Sequence, residues 1–256
     1  MNEPEHKHRR RVRTGALIAA SLAILVATAV IVFFVKLHRA QQEVNACVCN
    51  GRIYYLGYLL GAYYAKHETF PPAPGEPTGG KPPVSWRLLV WLNTLLATEL
   101  RRYRLDEAWN SPANTALRDN DPYFKMVFSC PSDSAGKDTG KTPYMAIVGK
   151  GSVWAEVRAG RIRNPYTEAP NKILLVEVPH SDVYWTEPRD LTIEQAIALY
   201  RSENGFKGIR HPHGLYYLTA GGTYGSFDQI RNVEEFSRLL RAADEQTVRG
   251  VGRVAH

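Results

Sequence analysis

The sequence predicts an α+β protein in which a single transmembrane N-terminal helix continues into a long helix that packs on an antiparallel β-sheet. Three observations support this fold class. Residues 15–35 form an uncharged apolar run, and residues 36–66 keep a helical pattern without proline. After residue 123, short segments rich in β-branched and aromatic residues alternate with Gly, Pro, Asp and Asn, which is typical of strands and turns.

The apolar run, GALIAASLAILVATAVIVFFV, has the length of a membrane span. As a helix it measures about 32 Å, which matches the hydrocarbon core of a bilayer. A cleaved signal peptide is the alternative, but such segments have an apolar core of about 7–15 residues and end at a small-residue cleavage site. Here the run continues directly into Lys36, and Cys47 lies too far beyond it for lipoprotein-type cleavage. We therefore expect a retained anchor.

The charge pattern predicts the orientation of that anchor. Residues 1–14 form a basic tail, and basic segments beside a span stay in the cytoplasm. The N-terminus is thus expected inside and the C-terminal domain outside. Residues 45–256 carry 25 Lys and Arg against 22 Asp and Glu, so the exported part is nearly balanced and a nucleic-acid partner is not expected. The tail contains five basic residues, Lys7, Arg9, Arg10, Arg11 and Arg13.

The three cysteines permit one disulfide if the domain lies in an oxidising compartment. Cys47 and Cys49 are too close in sequence for an easy mutual bridge, so we expect Cys49 to pair with Cys130 and Cys47 to stay free. Three reduced or buried thiols are the alternative. Without a CxxC pair, a zinc site is not expected.

The extramembrane continuation of the helix, residues 36–66, has an apolar stripe. Gly57 and Gly61, four residues apart, favour close packing of this helix against another element. The tyrosines that widen the stripe are expected in the core. The stripe consists of Ile53, Leu56, Leu60 and Tyr63.

Residues 67–256 are expected to form one exported α+β domain. It begins with a Pro- and Gly-rich loop at 68–83. Helices are predicted at 86–103, after the Ser111-Pro112 cap, and behind the capping boxes at Thr192 and Asn232. The predicted strands are YFKMVF (123–128), PYMAIVG (143–149), SVWAEVR (152–158), KILLVEV (172–178) and GLYYLTA (214–220).

Several strings in order resemble a bacterial family of pilin-like proteins, similar to type II secretion pseudopilins, that has no established function and ends in a His-x9-Asp-Gly motif. The resemblance implies a pilin-like N-terminal helix, an exported domain and no established enzymatic activity. We also expect no cofactor, and we expect the anchor to lie in the bacterial inner membrane. The strings are FPPA (70–73), SWRLLV (85–90), LDEAWNSPAN (105–114), FSCPSD (128–133), PYMAIVG (143–149), NKILLVEV (171–178), WTEPRDL (185–191) and HPHGLYYLTAGGT (211–223).

Two departures from the family pattern stand out. The N-terminal segment TGALIAASLAILV lacks the glutamate and the Gly-Phe junction of prepilin-type segments, which puts peptidase cleavage and filament entry in question. At the other end, Gly221-Gly222 stands where a His-x9-Asp-Gly motif that begins at His211 would have Asp-Gly. The acidic half of the motif is therefore lost. The retained Gly222 is expected in a tight turn with positive φ.

Other residues offer weaker chemistry. His211 and His213, with Glu177 and His180, form a possible metal set, but a Pro- and Gly-rich turn explains the pattern equally. No nucleophile elbow or phosphate loop is present. Trp109 and Trp185 are candidates for a ligand surface, with structural packing as the simpler interpretation.

From these features we expect a membrane-anchored structural or interaction protein of the bacterial envelope, without catalytic activity. Its expected partners are the lipid bilayer and other pilin-like or envelope proteins. A tethered module that binds glycans or peptides is the first alternative, and a metal-dependent hydrolase is the second.

Overall fold

The computed structural model describes the chain except residues 1–2, 77–78, 96–98, 122, 134–138, 179–180, 204, 207–211, 213 and 244–256. It divides into two units, Met1–Val44 and Asn45–His256.

The first unit is the beginning of helix α1, which runs from Glu3 to His67. Every residue from Gly15 to Val35 is exposed. Within the described part of the chain, Gly15–His67 is the one helix long and apolar enough to cross a membrane by length and composition, with a mean hydropathy of 2.8 in its most apolar stretch. The expected continuous helix through residues 15–66 is therefore present.

The second unit contains the end of α1 and all the remaining described elements. Two short 3₁₀ helices, Glu99–Arg102 and Phe227–Gln229, complement them. In chain order the elements are α2 (Trp86–Leu92), α3 (Pro112–Asn120), α4 (Phe124–Val127), β1 (Tyr144–Val148), α5 (Val153–Arg158), α6 (Pro165–Glu168), β2 (Ile173–Glu177), β3 (Leu191–Thr192), α7 (Ile193–Arg201), β4 (Tyr216–Thr219), β5 (Tyr224–Ser226) and α8 (Val233–Leu240).

The five strands form one sheet in the order β3-β1-β2-β4-β5. The three pairs β1–β2, β2–β4 and β4–β5 are antiparallel, whereas β1 and β3 are parallel. The sheet is thus mixed, which corrects the expected antiparallel sheet. The chain leaves β1 and returns to its edge only after 42 intervening residues, and that long connection allows a parallel pairing that a short hairpin does not.

Two predicted strands are helices instead. At 152–158 the Ser152 hydroxyl accepts a hydrogen bond from Ala155 N at 3.2 Å and so caps α5. At 123–128 the chain forms the single turn α4, with Asp121 Oδ1 accepting from Tyr123 N at 2.7 Å. The predicted helix 86–103 ends early, at Leu92. The strands β3 and β5, of two and three residues, are too short to show an alternation and were not predicted.

The core has two layers because both faces of the sheet are covered. On one face the end of α1 contributes Ile53, Leu56 and Leu60, which share a cluster with Leu175 and Leu218. On the other face α7 and α8 pack over another set of sheet residues. All residues of β1 and β2 are consequently buried, and all of them except Glu177 at the end of β2 are apolar or aromatic.

Candidate functional site: the exposed side of α1 and its groove

The disulfide Cys49–Cys130 ties the end of α1 to the segment that follows α4. Both cysteines are buried and their Cα atoms are 5.3 Å apart, so the expected pairing is present. Arg52 Nη1 strengthens this attachment by donating to Ser129 O at 2.6 Å. Cys47 is free and exposed. The disulfide fits an oxidising compartment for this domain.

A buried carboxylate lies beside the disulfide. One oxygen of Glu177 and the two sulfur atoms lie within 4.8 Å of one another, and Glu177 Oε2 accepts a hydrogen bond from Tyr216 N at 3.3 Å. Among the described residues this is the one group of three metal-ligand types. Since the two sulfur atoms are bonded to each other, they form a crosslink between α1 and the segment that follows α4, with Glu177 of β2 beside it, rather than a metal site.

The strings SWRLLV and WTEPRDL meet in a buried polar network. The Arg87 guanidinium donates to Asp190 Oδ1 at 2.6 Å and to Tyr144 O at 2.8 Å, and neither charged side chain reaches solvent. Ser85 Oγ donates to Trp185 O at 2.9 Å. Burial lowers the pKa of Arg87 and raises the pKa of Asp190, and their mutual attraction opposes both shifts.

The network was missed in the sequence, although a signal was available. Arg87 is the one charged residue in the otherwise apolar helix WRLLVWL, and a buried guanidinium requires an acidic partner. The side chains of the network are enclosed by the core. They therefore join two segments about one hundred residues apart and present no group to a ligand.

The candidate ligand surface at Trp109 and Trp185 does not form. Trp185 is fully buried and its ring stacks on Phe128, with centroids 4.9 Å apart. Trp109 is half-buried and packs against Tyr184 at 5.8 Å. The indole rings are used for packing because their large apolar area stabilises the core.

The three candidate metal-binding histidines, His180, His211 and His213, lie outside the described residues. At the end of the motif string, Gly222 has a φ of 82° in the turn between β4 and β5, as expected of a tight turn. At Gly221, a Cβ atom would stand 2.7 Å from Pro170 O. This close approach of two backbones leaves no room for a side chain at Gly221.

Two of the glycines of α1, Gly57 and Gly61, allow other elements to approach this helix. A Cβ at Gly57 would overlap Leu218 Cδ2 of β4, and a Cβ at Gly61 would lie 2.9 Å from the Tyr166 hydroxyl oxygen. The close packing expected at both positions is thus observed. Beside Gly61 lies a groove of about 550 Å³, bordered by Tyr58, Tyr166 and Gly221.

The side of α1 that faces away from the core carries apolar and aromatic groups instead of charges. Cys47, Gly51, Tyr54 and Tyr58 are all exposed there, and we call them the tyrosine face. Tyr54 is 57% and Tyr58 66% exposed. Tyr55 stacks on Tyr58, with centroids 6.1 Å apart. These groups offer aromatic contact area, which is a property of binding surfaces.

No family model, curated protein or solved structure matches the chain.

Proposed function

We propose that the chain is a membrane-anchored, pilin-like structural or interaction protein of the bacterial cell envelope. The observation that carries this proposal is the exposure of the apolar residues 15–35. A soluble protein buries such a stretch, because exposed apolar area is costly in water. A helix that is apolar on all sides and covered by no part of the protein is stable in lipid.

The hydroxyl groups of the anchor support the same environment. Ser21 Oγ donates to Leu17 O at 2.9 Å, and Thr28 Oγ1 donates to Ile24 O at 2.8 Å. A hydroxyl in hydrocarbon needs an internal partner because no water is available there. Both polar side chains thus satisfy themselves within the helix, which removes most of the cost of placing them in a bilayer.

The basic tail and the disulfide support the proposed orientation. Positive residues before the span keep the N-terminus in the cytoplasm. The Cys49–Cys130 bond is stable on the outer side, where thiols are oxidised. The end of α1, packed on β4 of its own domain, supports the pilin-like arrangement of helix and sheet. The exposed tyrosine face then supplies the surface for interaction.

The alternative of a tethered glycan- or peptide-binding module has less support. The two tryptophans on which it was based are buried or half-buried. A binding role for the domain therefore falls to the tyrosine face and the adjacent groove. Both lie on or beside α1, which favours a protein partner over a small ligand.

The anchor is tested with the full chain in a bacterial host, carrying alkaline phosphatase after its last residue. This reporter needs disulfides and is active only outside the cytoplasm. We expect an active reporter in a membrane fraction that resists carbonate extraction. Paired Val26→Arg and Ile31→Arg substitutions are expected to move most of the protein into the carbonate supernatant, since each buried arginine costs about 2.5–3.5 kcal/mol at the centre of a span.

The matched control is Val44→Arg. Val44 is 57% exposed and Val26 53%, but only Val26 lies in the apolar run. The control should stay in the membrane with an active reporter. Carbonate extraction of the unmodified chain, or an inactive reporter in a membrane-bound chain, would overturn the anchor or its orientation respectively.

A further inference from the structure

We propose that the tyrosine face is the interface of a parallel homodimer, in which it packs against the same face of a second copy. This inference rests on the proposed function, because the membrane anchor sets the direction of both helices. The proposed partner is a second copy of this chain.

The spacing of the tyrosine face is that of a coiled coil. Cys47, Gly51, Tyr54 and Tyr58 are separated by four, three and four residues. The sequence before them repeats the same spacing at Leu37, Ala40 and Val44. The seven positions alternate between a and d sites over three heptads, with Tyr58 as the first residue of a fourth, and none of them is charged. This length is enough for helix pairing.

The other side of α1 is already occupied. Cys49, Ile53 and Leu56 are buried in the domain, and at about 100° per residue they lie nearly opposite the tyrosine face. A surface helix normally has a polar outer side. In the described second unit α1 instead has two apolar sides, of which its own domain covers one.

Symmetry and charge favour a second copy as the occupant. A two-fold interface places the same patch on both subunits, so an uncharged face meets itself without repulsion. Two anchors in one membrane keep the helices parallel and concentrate the copies. Flanking g positions then face e positions of the other copy, which pairs Lys36 with Gln41 and Glu43 with Val48, and neither is a like-charge pair.

The available area approaches that of a small specific interface. A fully buried aromatic side chain covers about 150–250 Å². From the exposed fractions of Tyr54 and Tyr58, the four tyrosines of a dimer account for roughly 500 Å². The remaining five positions per copy extend the contact toward the roughly 1,200 Å² of the smallest specific interfaces.

Cys47 provides a direct readout of this geometry. At a d position of a symmetric parallel pair, the two Cys47 side chains face each other across the axis within reach of a disulfide. Added copper phenanthroline with dioxygen accepts the two electrons when the two thiols lose their protons and form one S–S bond. The full chain in its membrane should then run at twice its 28.8 kDa mass on a non-reducing gel.

The crosslinking is tested by position. Cys47→Ser should remove the dimer band. In that background, new cysteines at Val44 and Gly51 should restore it, whereas a cysteine at the exposed Gln42, off the stripe, should crosslink at least tenfold less. Equal crosslinking at Gln42 and Gly51 would show random collision and overturn the proposal. A crosslinked band at a mass other than a dimer would overturn the second copy as partner.

A charge in the interface provides the second test. Tyr54→Glu with Tyr58→Glu should reduce the Cys47 crosslink at least tenfold, because four buried carboxylates repel one another. Tyr224→Glu, at a tyrosine 51% exposed on β5, is the control and should leave the crosslink unchanged. An unchanged crosslink in the double variant would overturn the interface.

Carbonate extraction of the same membranes separates the two proposals. An extraction-resistant chain without a Cys47 crosslink leaves the anchor in place and removes the dimer. A chain that carbonate extracts removes the anchor itself, and with it the reason for parallel pairing.

Discussion

Cys47 and Cys49 stand two residues apart on α1 and differ in almost every physical respect. Cys49 is buried and bonded to Cys130, whereas Cys47 is free and exposed. The same contrast holds along the helix, where Leu56 is buried and Tyr54 and Tyr58 are exposed. Both sides are apolar and both repeat every three to four residues. The difference teaches that periodicity marks surfaces fit for packing, while only the neighbouring chain decides which surface is used.

Removing the disulfide is expected to have the largest effect on stability. It closes a loop of 81 residues, so the chain-entropy model assigns it about 4–5 kcal/mol. Cys49→Ser with Cys130→Ser should lower the free energy of unfolding by that order. Cys47→Ser should change it by less than about 0.5 kcal/mol, as an exposed position does. Denaturant unfolding of the detergent-solubilised chain, followed by tryptophan fluorescence, measures both.

If the Cys49→Ser/Cys130→Ser variant were as stable as the Cys47→Ser variant, the disulfide would not be what holds the end of α1 to the rest of the domain. Tryptophan fluorescence suits the measurement because Trp86, Trp154 and Trp185 are all buried and lose their environment on unfolding.

Truncating a buried leucine side chain of α1 should have the next largest effect. Leu56→Ala is expected to cost about 2–5 kcal/mol, because Leu56 is buried among the sheet residues and leaves a cavity. Tyr54→Ala should cost less than about 0.5 kcal/mol under dimer-dissociating detergent conditions. The same denaturant measurement applies, and a larger loss for Tyr54→Ala would show that the tyrosine face supports the fold of the single copy.

Substitutions at Gly51 and Gly57 of α1 are expected to give the smallest effects, with opposite signs. Gly51→Ala should raise stability by up to about 1 kcal/mol, since Gly51 is helical and has open space around it. Gly57→Ala should lower it by about 1–2 kcal/mol, because the added methyl overlaps the buried Leu218 side chain and repacking costs about 1–3 kcal/mol. Thermal unfolding at matched detergent concentration compares the two variants. A higher stability of Gly57→Ala would mean that Leu218 of β4 moves aside at little cost.

Features with a local physical cause were predicted well. The apolar run, the continuous helix through residue 66, the capping box at Thr192 and the strands around residues 144–148, 173–177 and 216–219 all follow from neighbouring residues. The predicted strand at 152–158 was wrong. This segment is apolar and contains β-branched residues, but it forms a short helix because Ser152 caps it and the core covers it. Local propensity is weak in such a short segment, and tertiary packing overrides it.

The site was less predictable than the fold. Trp185 was a reasonable candidate for a surface because nothing in WTEPRDL shows on which side of the sheet the ring lies. The bond between Arg87 and Asp190 joins residues 103 positions apart, so no local pattern reveals it. The pairing of Cys49 with Cys130 was accessible because only a few pairings of three cysteines exist.

The sequence by itself determined the membrane-length apolar helix, its basic tail, the disulfide pair and the α+β class, because composition and short spacings carry these properties. Only the tertiary structure decided the parallel pairing of β1 with β3, the burial of Trp185, the Arg87–Asp190 network and the side of α1 that stays open. These depend on contacts between distant segments, and the free energy of such contacts is set by the shape of the folded core.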